Sequence, residues 1–510
     1  MVKYSGKIFL VNVGCFMGRK EKNLYKAVDI KYKEIIDVRE IGYYATPPFV
    51  ARYIGKRIID INSKGETLFD PCCGKEELTD YFSDLGVKTI GMDLIKYKNN
   101  YRCEFKKGNF INYYCSQKNK KTWDYDYYIA NPPYNCHEVN FIKDNKEMLR
   151  KYFNEVGLHN MYSMFMFAII DKAKNGAVIG LITNDSFFTA KNHKRLRDKI
   201  IRECSIHEIT MCPRGLFHNQ GADVRTSILI LRKGKEYQEK IVVNNRPKSI
   251  EEFKELLNRI KDNDKEKLYN MQEIVLQNKK DNLEFLIECP EDIRILFNNI
   301  RLGEKFKCVT GISTGNDKEF LSKEKSNEFT IPFYKNPGKD KFYTDRVIYL
   351  HKDFLEIEKI NKNFNVRNKN ALYKSGITCS SMGVSFNACI LPKNSTFGVN
   401  PNIICESEQV WWLLAYLNSS LVTYLVRGAL IRSNMITSGY VSRIPLLRFT
   451  KDEKARLSHL AKRAYKLRKQ NSSIETELCH IDNIVNHVAK ISNESKNLIF
   501  NFKKYLVEVT

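Results

Sequence analysis

The sequence predicts an α/β protein with a mostly parallel, doubly wound sheet, followed by a mixed α+β region. Between about residues 43 and 232, short apolar runs alternate with longer amphipathic stretches. Strands that alternate with helices indicate a parallel sheet that helices cover on both faces. After residue 233 the pattern changes to charged helical stretches and then to irregular β-like runs. At 510 residues the chain is also too long for one ordinary domain, since roughly 100–200 residues per domain are typical.

Apolar runs are predicted as strands and amphipathic stretches as helices. The strands are expected at 67–69, 88–92, 127–130, 177–182 and 226–231, and the helices at 49–59, 161–173 and 194–203. Ligands bind such a sheet outside the carboxyl ends of its strands. Polar motifs directly after these strands are therefore the candidates for chemistry.

The composition divides the chain into four expected segments. Residues 1–40 form an N-terminal extension, and its apolar run 8–17 is predicted as a short strand rather than a signal peptide because Asn12 interrupts it. The other segments are a catalytic domain over 41–235, a charged helical connector over 236–290 and a mixed domain with C-terminal helices over 291–510.

The net charge of +25 favours an acidic partner, with nucleic acid ahead of an anionic membrane surface. Part of the Lys excess also suits an A/T-rich coding genome. The 14 Cys are scattered without a CxxC pair, so neither a disulfide framework nor a metal site is expected. The apolar span 410–431 contains Asn, Ser, Thr and Arg and is too polar for a membrane helix. We expect a cytoplasmic protein.

The strongest motif is Asn131-Pro132-Pro133-Tyr134, directly after the apolar run 127–130. The side-chain oxygen of Asn131 is a hydrogen-bond acceptor at a strand end, and two prolines stiffen the turn so that the carbonyl of Pro132 can be a second acceptor. Tyr134 offers an aromatic face to a planar base. Two acceptors that hold both hydrogens of an exocyclic amine would make its nitrogen nucleophilic.

This tetrapeptide resembles the hallmark of S-adenosylmethionine-dependent methyltransferases that modify an amino nitrogen, best known from DNA adenine-N6 methyltransferases of restriction–modification systems. Four further motifs lie earlier in the chain. Their order is that of the family's gamma class, in which a target-recognition domain follows the catalytic domain. They are Gly42 to Pro48, Leu68 to Gly74, Gly91 to Asp93 and Gly108 to Phe110. The resemblance implies a Rossmann-like methyltransferase fold, methyl transfer to N6 of a flipped-out adenine in duplex DNA, and a C-terminal DNA-recognition domain.

The resemblance also implies where S-adenosylmethionine binds. Asp70 would order the cofactor loop, Gly74 would let the backbone approach the ligand, and Asp93 would accept hydrogen bonds from ribose hydroxyls. The remaining expected contacts are Thr46 with the cofactor carboxylate, Asn109 and Phe110 with its adenine, and Tyr44 and Cys72 in the same pocket.

The cofactor loop departs from the family pattern after Gly74. Lys75-Glu76-Glu77-Leu78 stands where a second glycine and an aromatic are usual. Glu76 or Glu77 could contact the positive end of the cofactor. We expect instead that one of them caps the helix that follows.

An adenine must leave the duplex to reach such a site, at a cost of a few kcal/mol, and stacking offsets about 1–3 kcal/mol per base. Tyr134 is one stacking platform. The resemblance places Phe217, just before the run 226–231, on the opposite face of the base. The alternative is that Phe217 is a core phenylalanine.

In the C-terminal half, residues 311–318 and 417–420 resemble recurrent segments of the family's recognition domains. Trp411 and Trp412 are expected in the core. The candidates for phosphate contact, each of which could equally be a solvated surface charge, are Lys335, Lys339, Lys341, Arg427, Arg432 and Arg443.

Three other functions fit parts of the pattern. An RNA adenine-N6 methyltransferase shares the motif, and a protein glutamine methyltransferase does so too, although the basic charge and the mass after the catalytic domain disfavour it. A non-catalytic DNA-binding specificity subunit would explain the altered loop. We expect a monomer that binds duplex DNA. Because the first 40 residues cannot house a nuclease domain, a cognate restriction endonuclease would be a separate chain.

Overall fold

The computed structural model describes residues 26–28, 35–37, 42–134, 140–158, 160–220, 224–236, 240–259, 267–278, 281–383, 385–430 and 435–508. The chain divides into two compact units, Met1–Gln277 and Asn278–Thr510. The strand predicted over 8–17 lies outside the described residues. Lys26–Val28 (β1) and Ile35–Asp37 (β2) form an antiparallel pair.

A nine-stranded sheet is the centre of the first unit. Its strands are β3 (Thr67–Asp70), β4 (Lys88–Asp93), β5 (Glu104–Lys107), β6 (Tyr127–Ala130), β7 (Val178–Asn184), β8 (Cys204–Met211), β9 (Thr226–Lys233), β10 (Ile241–Asn244) and β11 (Leu268–Tyr269). They lie in the order β11-β10-β8-β9-β7-β6-β3-β4-β5. The segment from β5 to β7 is parallel throughout, whereas β9 runs antiparallel to both β7 and β8. The predicted mostly parallel sheet is confirmed.

Helices cover both faces of this sheet, which explains why its central strands are almost entirely apolar. All four residues of β6 are buried, as are the first six of β7. The helices are α1 (Pro48–Ile61), α2 (Asp80–Asp84), α3 (Phe110–Ser116), α4 (Asn140–Asp144), α5 (Lys146–Phe153), α6 (Met161–Lys172), α7 (Ser186–Thr189), α8 (Lys194–Glu203), α9 (Ile250–Arg259) and α10 (Met271–Ile274). The three helices predicted from the sequence correspond to α1, α6 and α8.

The structure corrects the prediction of a helical connector over residues 236–290. Ile241–Asn244 pairs in parallel with β8, and Leu268–Tyr269 pairs antiparallel with β10, so both strands extend the nine-stranded sheet. Among the described residues from there to the end of the unit at Gln277, α9 and α10 are helical. The run Ile241-Val242-Val243 is buried, and β-branched apolar residues favour a strand over a solvated helix.

The second unit is a mixed α+β structure, as predicted. Its strands are β12 (Lys307–Val309), β13 (Ile312–Ser313), β14 (Leu321–Ser322), β15 (Phe329–Tyr334), β16 (Val347–His351), β17 (Asn365–Val366), β18 (Gly376–Cys379), β19 (Ala388–Leu391), β20 (Thr396–Phe397) and β21 (Asn402–Ile404). They form two four-stranded sheets, β12-β21-β18-β19 and β14-β16-β15-β20, and the pair β13-β17. Within the described residues, no helix is both long enough and apolar enough to cross a membrane.

The helices of this unit are α11 (Glu291–Ile295), α12 (Leu302–Lys305), α13 (Asp317–Phe320), α14 (Phe354–Ile360), α15 (Ser407–Leu417), α16 (Ser420–Tyr424), α17 (Ser438–Val441), α18 (Lys451–Lys469), α19 (Glu475–Val488) and α20 (Asn493–Glu508). Helix α18 begins with a capping box, in which Thr450 and Glu453 bond each other's backbone amides. Trp412 is buried as predicted, whereas Trp411 is half-buried against Tyr465.

Several candidates for phosphate contact have other partners. Arg443 is buried and pairs with Glu284, so its assignment as a surface phosphate contact is wrong. Lys335 pairs with Asp317, although it stays exposed. The ammonium of Lys341 donates to the carbonyl of Asn418 at 3.2 Å. Lys339 is exposed and Arg427 is half-buried, whereas Arg432 lies outside the described residues.

Candidate active site

The motifs meet at one edge of the nine-stranded sheet because parallel strands share the direction of their carboxyl ends. The chain runs from β3 outward to β4 and β5 and then returns to the other side of β3 as β6. This reversal creates a topological switch point between β3 and β6, where α/β sheets bind ligands. Asp70 ends β3, Asp93 ends β4, and Asn131 directly follows β6.

A cavity of about 250 Å³ opens at this edge. We call it the edge cavity. Six of the residues predicted for the site line it, namely Cys72, Asp93, Asn109, Phe110, Asn131 and Pro133. The other lining residues are Gly42, Tyr43, Pro71, Leu94, Tyr97, Gly108, Phe141, Met161 and Phe165. The structure therefore gathers residues from all five motifs around one space.

Two carboxylates, the buried Asp70 and the half-buried Asp93, shape the loop after β3. Asp70 accepts a hydrogen bond from the backbone N–H of Cys72 at 2.9 Å, which orders the turn as predicted. Asp93 accepts from the N–H of Gly74 at 2.9 Å and from the N–H of Ile95 at 3.1 Å. Burial raises the pKa of Asp93 to about 6 and that of Asp70 well above its usual range.

Asp70 also carries an orphaned atom. Its Oδ2 is buried and has no hydrogen-bond partner among the described residues. A buried carboxylate oxygen without a partner is costly, which indicates a position that a ligand or water completes. Gly74 has φ +54°, and a Cβ at this position would lie 2.5 Å from the ring of Tyr43. Only glycine satisfies both the backbone and the space there.

The expectation that Glu76 or Glu77 caps the following helix is wrong. Helix α2 begins at Asp80, and its N-cap residue Thr79 makes no side-chain capping bond. Glu76 is instead fully buried and accepts from the backbone N–H groups of Cys103 at 2.7 Å and Arg102 at 3.1 Å. An ion pair with Lys98 adds to these bonds. Although burial opposes ionisation, these partners hold the pKa of Glu76 below its usual range.

Glu76 also has a left-handed backbone, with φ +75°. A non-glycine residue in this region is uncommon, and the hydrogen bonds of its carboxylate offset the strain. Glu77 accepts from the N–H of Lys75 at 2.9 Å and from the hydroxyl of Tyr43. Neither glutamate caps α2. The sequence signal for this outcome is the run Lys75-Glu76-Glu77-Leu78, which stands where the family that the motifs resemble usually has a second glycine and an aromatic.

The amide of Asn131 is held in one orientation. Its Nδ2 donates to the carbonyl of Tyr44 at 2.9 Å and to the hydroxyl of Thr46 at 3.1 Å. Since a backbone carbonyl can only accept, the nitrogen must face Tyr44 and the oxygen must face away from it. The hydroxyl of Tyr134 donates to this Oδ1 at 2.5 Å. One lone pair of Oδ1 remains available to a further donor.

Tyr44 and Thr46 do not line the edge cavity, which corrects their expected roles in it. They lie beside Asn131 and bind its nitrogen. Pro132 and Tyr134 are also behind the cavity wall, and both are buried. Asn109 does line the cavity, but its side-chain oxygen accepts from the N–H of Asn112 at 3.1 Å as the N-cap of α3.

Four aromatic rings pack beside the catalytic motif. They are Tyr44, Tyr134, Tyr162 and Phe217, and we call them the aromatic cluster. The rings of Tyr44 and Tyr134 are nearly parallel at 18°, with centroids 6.1 Å apart. Phe217 lies 6.4 Å from Tyr134 and 6.1 Å from Tyr44, and it is fully buried. Phe217 therefore packs against Tyr134 as a buried ring, and its stacking on a base stays a prediction.

Tyr43 and Tyr97 are residues of the cavity that the motif analysis did not assign. Their rings stack with centroids 4.6 Å apart and form part of its wall. Tyr101 supports them, because its hydroxyl donates to the carbonyl of Gly74 at 2.9 Å and accepts from the N–H of Tyr97 at 3.0 Å. Tyr43 lies within the first motif, but the stretch around Tyr97 carries no recognisable pattern.

The region of the chain that a known family model matches contains Asn109 and Asn131, whereas Asp70 and Asp93 precede it. Residues 96–291 match the model of the N-6 DNA Methylase family. The chain is 26% identical over 208 residues to the Type II methyltransferase M.BanIII of Aneurinibacillus aneurinilyticus. That match covers 34% of this chain and 36% of the relative, so the chain aligns with about a third of the length of this curated protein.

Solved structures share the fold at low sequence identity. The DrdV–DNA complex matches with a TM-score of 0.55 at 10% identity, over 84% of this chain and 58% of that one. MmeI, a Type IIL restriction-modification enzyme solved in complex with DNA, matches with a TM-score of 0.54 at 10% identity, over 90% of this chain and 75% of that one. Residues 96–291 thus match an N-6 DNA methylase model, as the motifs predicted, and the chain shares its fold with a solved restriction–modification enzyme.

Proposed function

We propose that this protein transfers a methyl group from S-adenosylmethionine to N6 of a specific adenine in duplex DNA. The observation that carries the proposal is the fixed amide of Asn131, which lines the edge cavity while its Nδ2 is held by Tyr44 and Thr46. Its Oδ1 is therefore preorganised to accept from an exocyclic amine. M.BanIII is named as a methyltransferase, and the DrdV and MmeI structures are complexes with DNA, which supports the choice of reaction and substrate.

The edge cavity fits S-adenosylmethionine by its chemistry. The cofactor is a sulfonium with an ammonium group, and the carboxylates of Asp70, Glu77 and Asp93 lie at or next to the cavity. The Oδ2 atom of Asp70, which has no hydrogen-bond partner among the described residues, can bind a cationic group of the ligand. The space beside Gly74 has no room for a side chain. Phe110 and Phe165 supply apolar wall for the adenosine part. When bound, the cofactor supplies an electrophilic methyl group.

The residues of the chain would then act on the adenine amine. Asn131 Oδ1 accepts one hydrogen, and the carbonyl of Pro132 is proposed to accept the other. With both hydrogens held, the lone pair of the amine nitrogen is no longer conjugated with the adenine ring. Tyr134 fixes Asn131 Oδ1 through its hydroxyl and offers its ring to the base. No strong general base is needed before transfer, because the proton can leave after the nitrogen becomes positively charged.

The test is transfer of labelled methyl from S-adenosylmethionine to duplex DNA, to RNA and to protein by the purified chain, with Asn131→Ala as the inactive control. We expect label in DNA alone, recovered as N6-methyladenine by mass spectrometry of the digested DNA. Label only in RNA or protein would support one of the alternative methyltransferases instead. Binding of cofactor and DNA without transfer to any substrate would favour a specificity subunit.

We also propose a role for the second unit and an oligomeric state for the chain. The second unit is proposed to read the DNA sequence, in keeping with a gamma-class order. The chain is proposed to act as a monomer. Sedimentation of the protein with a methylatable duplex would test the stoichiometry.

A further inference from the structure

A short segment connects the edge cavity with the catalytic asparagine. Residues 42–46, which we call the strap, precede α1 and belong to the first sequence motif. At one end, Gly42 and Tyr43 line the cavity. At the other end, Tyr44 and Thr46 hold the Nδ2 of Asn131. The position of the strap therefore decides where the acceptor oxygen of Asn131 points.

The strap belongs to no sheet among the described strands. The backbone of Ala45 is paired by a side chain instead. The N–H of Ala45 donates to Oε1 of Gln220 at 2.6 Å, and Nε2 of Gln220 donates to the carbonyl of Ala45 at 2.8 Å. One amide thus matches both hydrogen-bonding groups of one backbone residue, as a neighbouring strand would.

Gln220 stands on the turn that carries Phe217. Its own N–H donates to the carbonyl of Phe217 at 3.0 Å, and the short helix His218–Gln220 closes the turn. Phe217 in turn packs against Tyr44 of the strap. Two contacts, one polar and one aromatic, therefore join the turn to the strap.

We propose that Gln220 is a positioning residue for methyl transfer, which holds the strap in register so that Tyr44 and Thr46 orient Asn131. This inference rests on the proposed function. Without the Gln220 amide, the N–H and carbonyl of Ala45 lose their partner, and the strap can shift towards solvent. The carbonyl of Tyr44 then moves with it, and the amide of Asn131 is no longer restricted to one orientation.

Loss of the Gln220 amide should affect the rate of methyl transfer and the affinity for the cofactor differently. Gln220 does not line the edge cavity, so its loss should leave cofactor affinity nearly unchanged. Orientation of the reacting amine acts on the chemical step, where a displacement of about 1 Å can lower a rate on the order of 100-fold. We therefore expect kcat to fall while the cofactor Kd stays constant.

The experiment compares three variants of the full chain under saturating cofactor and duplex DNA. Gln220→Met keeps the length of the side chain but cannot pair with Ala45. Gln220→Glu keeps the acceptor for the Ala45 N–H and loses the donor to its carbonyl. Asn219→Ala, an exposed neighbour on the same turn, is the matched control. We expect kcat to fall roughly 10- to 100-fold in Gln220→Met, less in Gln220→Glu, and not in Asn219→Ala.

Two outcomes would overturn the inference. One is a kcat within twofold of wild type for Gln220→Met. The other is a parallel loss of kcat, cofactor affinity and melting temperature, which would mean that Gln220 supports the fold in general. A wild-type protein that transfers no methyl group would contradict the proposed function itself.

Discussion

The edge cavity and the aromatic cluster lie side by side at the same sheet edge but are built in opposite ways. Around the cavity, carboxylates bind backbone amides and leave about 250 Å³ of space. In the cluster, the rings fill their space, with Phe217 fully buried and Tyr134 9% exposed. The first region is preformed for a ligand, whereas the second is closed.

The closed cluster has a consequence for the proposed reaction. A base sandwiched between two rings needs them about 7 Å apart, since stacked planes are about 3.4 Å apart. The rings expected on either side of the base, Tyr134 and Phe217, have centroids 6.4 Å apart and are inclined at 56°. Entry of an adenine between them therefore requires one of the rings to move, whereas the edge cavity is already open. The predictions below probe this difference.

The largest effect is expected for Asn131→Ala. This change removes the fixed acceptor, and loss of one preorganised hydrogen-bonding group at a reacting centre lowers rates by about 10²–10³-fold or more. Methyl transfer to DNA should become undetectable or nearly so, while calorimetric binding of cofactor stays within a few-fold of wild type. Retained transfer at more than a tenth of the wild-type rate would contradict the role of Asn131.

Phe217→Ala should reduce catalysis and leave the cavity intact. Because the ring is fully buried, its removal should also lower the free energy of unfolding by about 3–5 kcal/mol. Phe217→Leu is the matched control, which keeps most of the buried volume but no aromatic face. If Phe217 stacks on the target base, both variants lose turnover on DNA. If it is only a core residue, Phe217→Leu retains turnover.

Asp93 should make cofactor binding depend on pH. Burial raises its pKa to about 6, so in the free protein the carboxyl is protonated below this pH and charged above it. Ribose hydroxyls and a cationic ligand favour the charged form. Cofactor affinity should therefore rise from pH 5 to pH 7, by up to about tenfold per pH unit below 6, and then level off. In Asp93→Asn the affinity should be weaker and flat over this range, as titration calorimetry can show.

The smallest effect is expected for Tyr134→Phe. This change removes the hydroxyl that donates to Asn131 Oδ1 but keeps the ring. Loss of one hydrogen bond is worth about 1 kcal/mol, which corresponds to roughly a fivefold lower kcat. Tyr134→Ala, which also removes the stacking face, should be severe. Equal rates for the two variants would mean that the ring contributes nothing.

Much of the first unit was predictable because local patterns are strong there. The strands over 67–69, 88–92 and 127–130 are short apolar runs bounded by polar turns, and each corresponds to an observed strand. The strands Ile241–Asn244 and Leu268–Tyr269 were missed because they are short and flank a charged helix. Their pairing with distant strands, rather than their own composition, makes them part of the sheet.

The motifs predicted which residues form the candidate site, but they did not predict which role each residue has in it. Asp70, Asp93 and Asn131 stand at strand ends, and the topology brings them to one edge. Thr46 was assigned to the cofactor, yet it binds Asn131. A motif indicates that a residue belongs to the site. The hydrogen bond between Thr46 and Asn131, which are 85 residues apart in the chain, is known only from the folded structure.

By itself the sequence determined the α/β class, the order of the motifs and the residue types available for chemistry, because these depend on local periodicity and on turn residues. The tertiary structure decided how Glu76 compensates its left-handed backbone, how Gln220 pairs with Ala45, and how the aromatic cluster closes. These features depend on contacts between segments far apart in the chain, whose spacing no local pattern encodes.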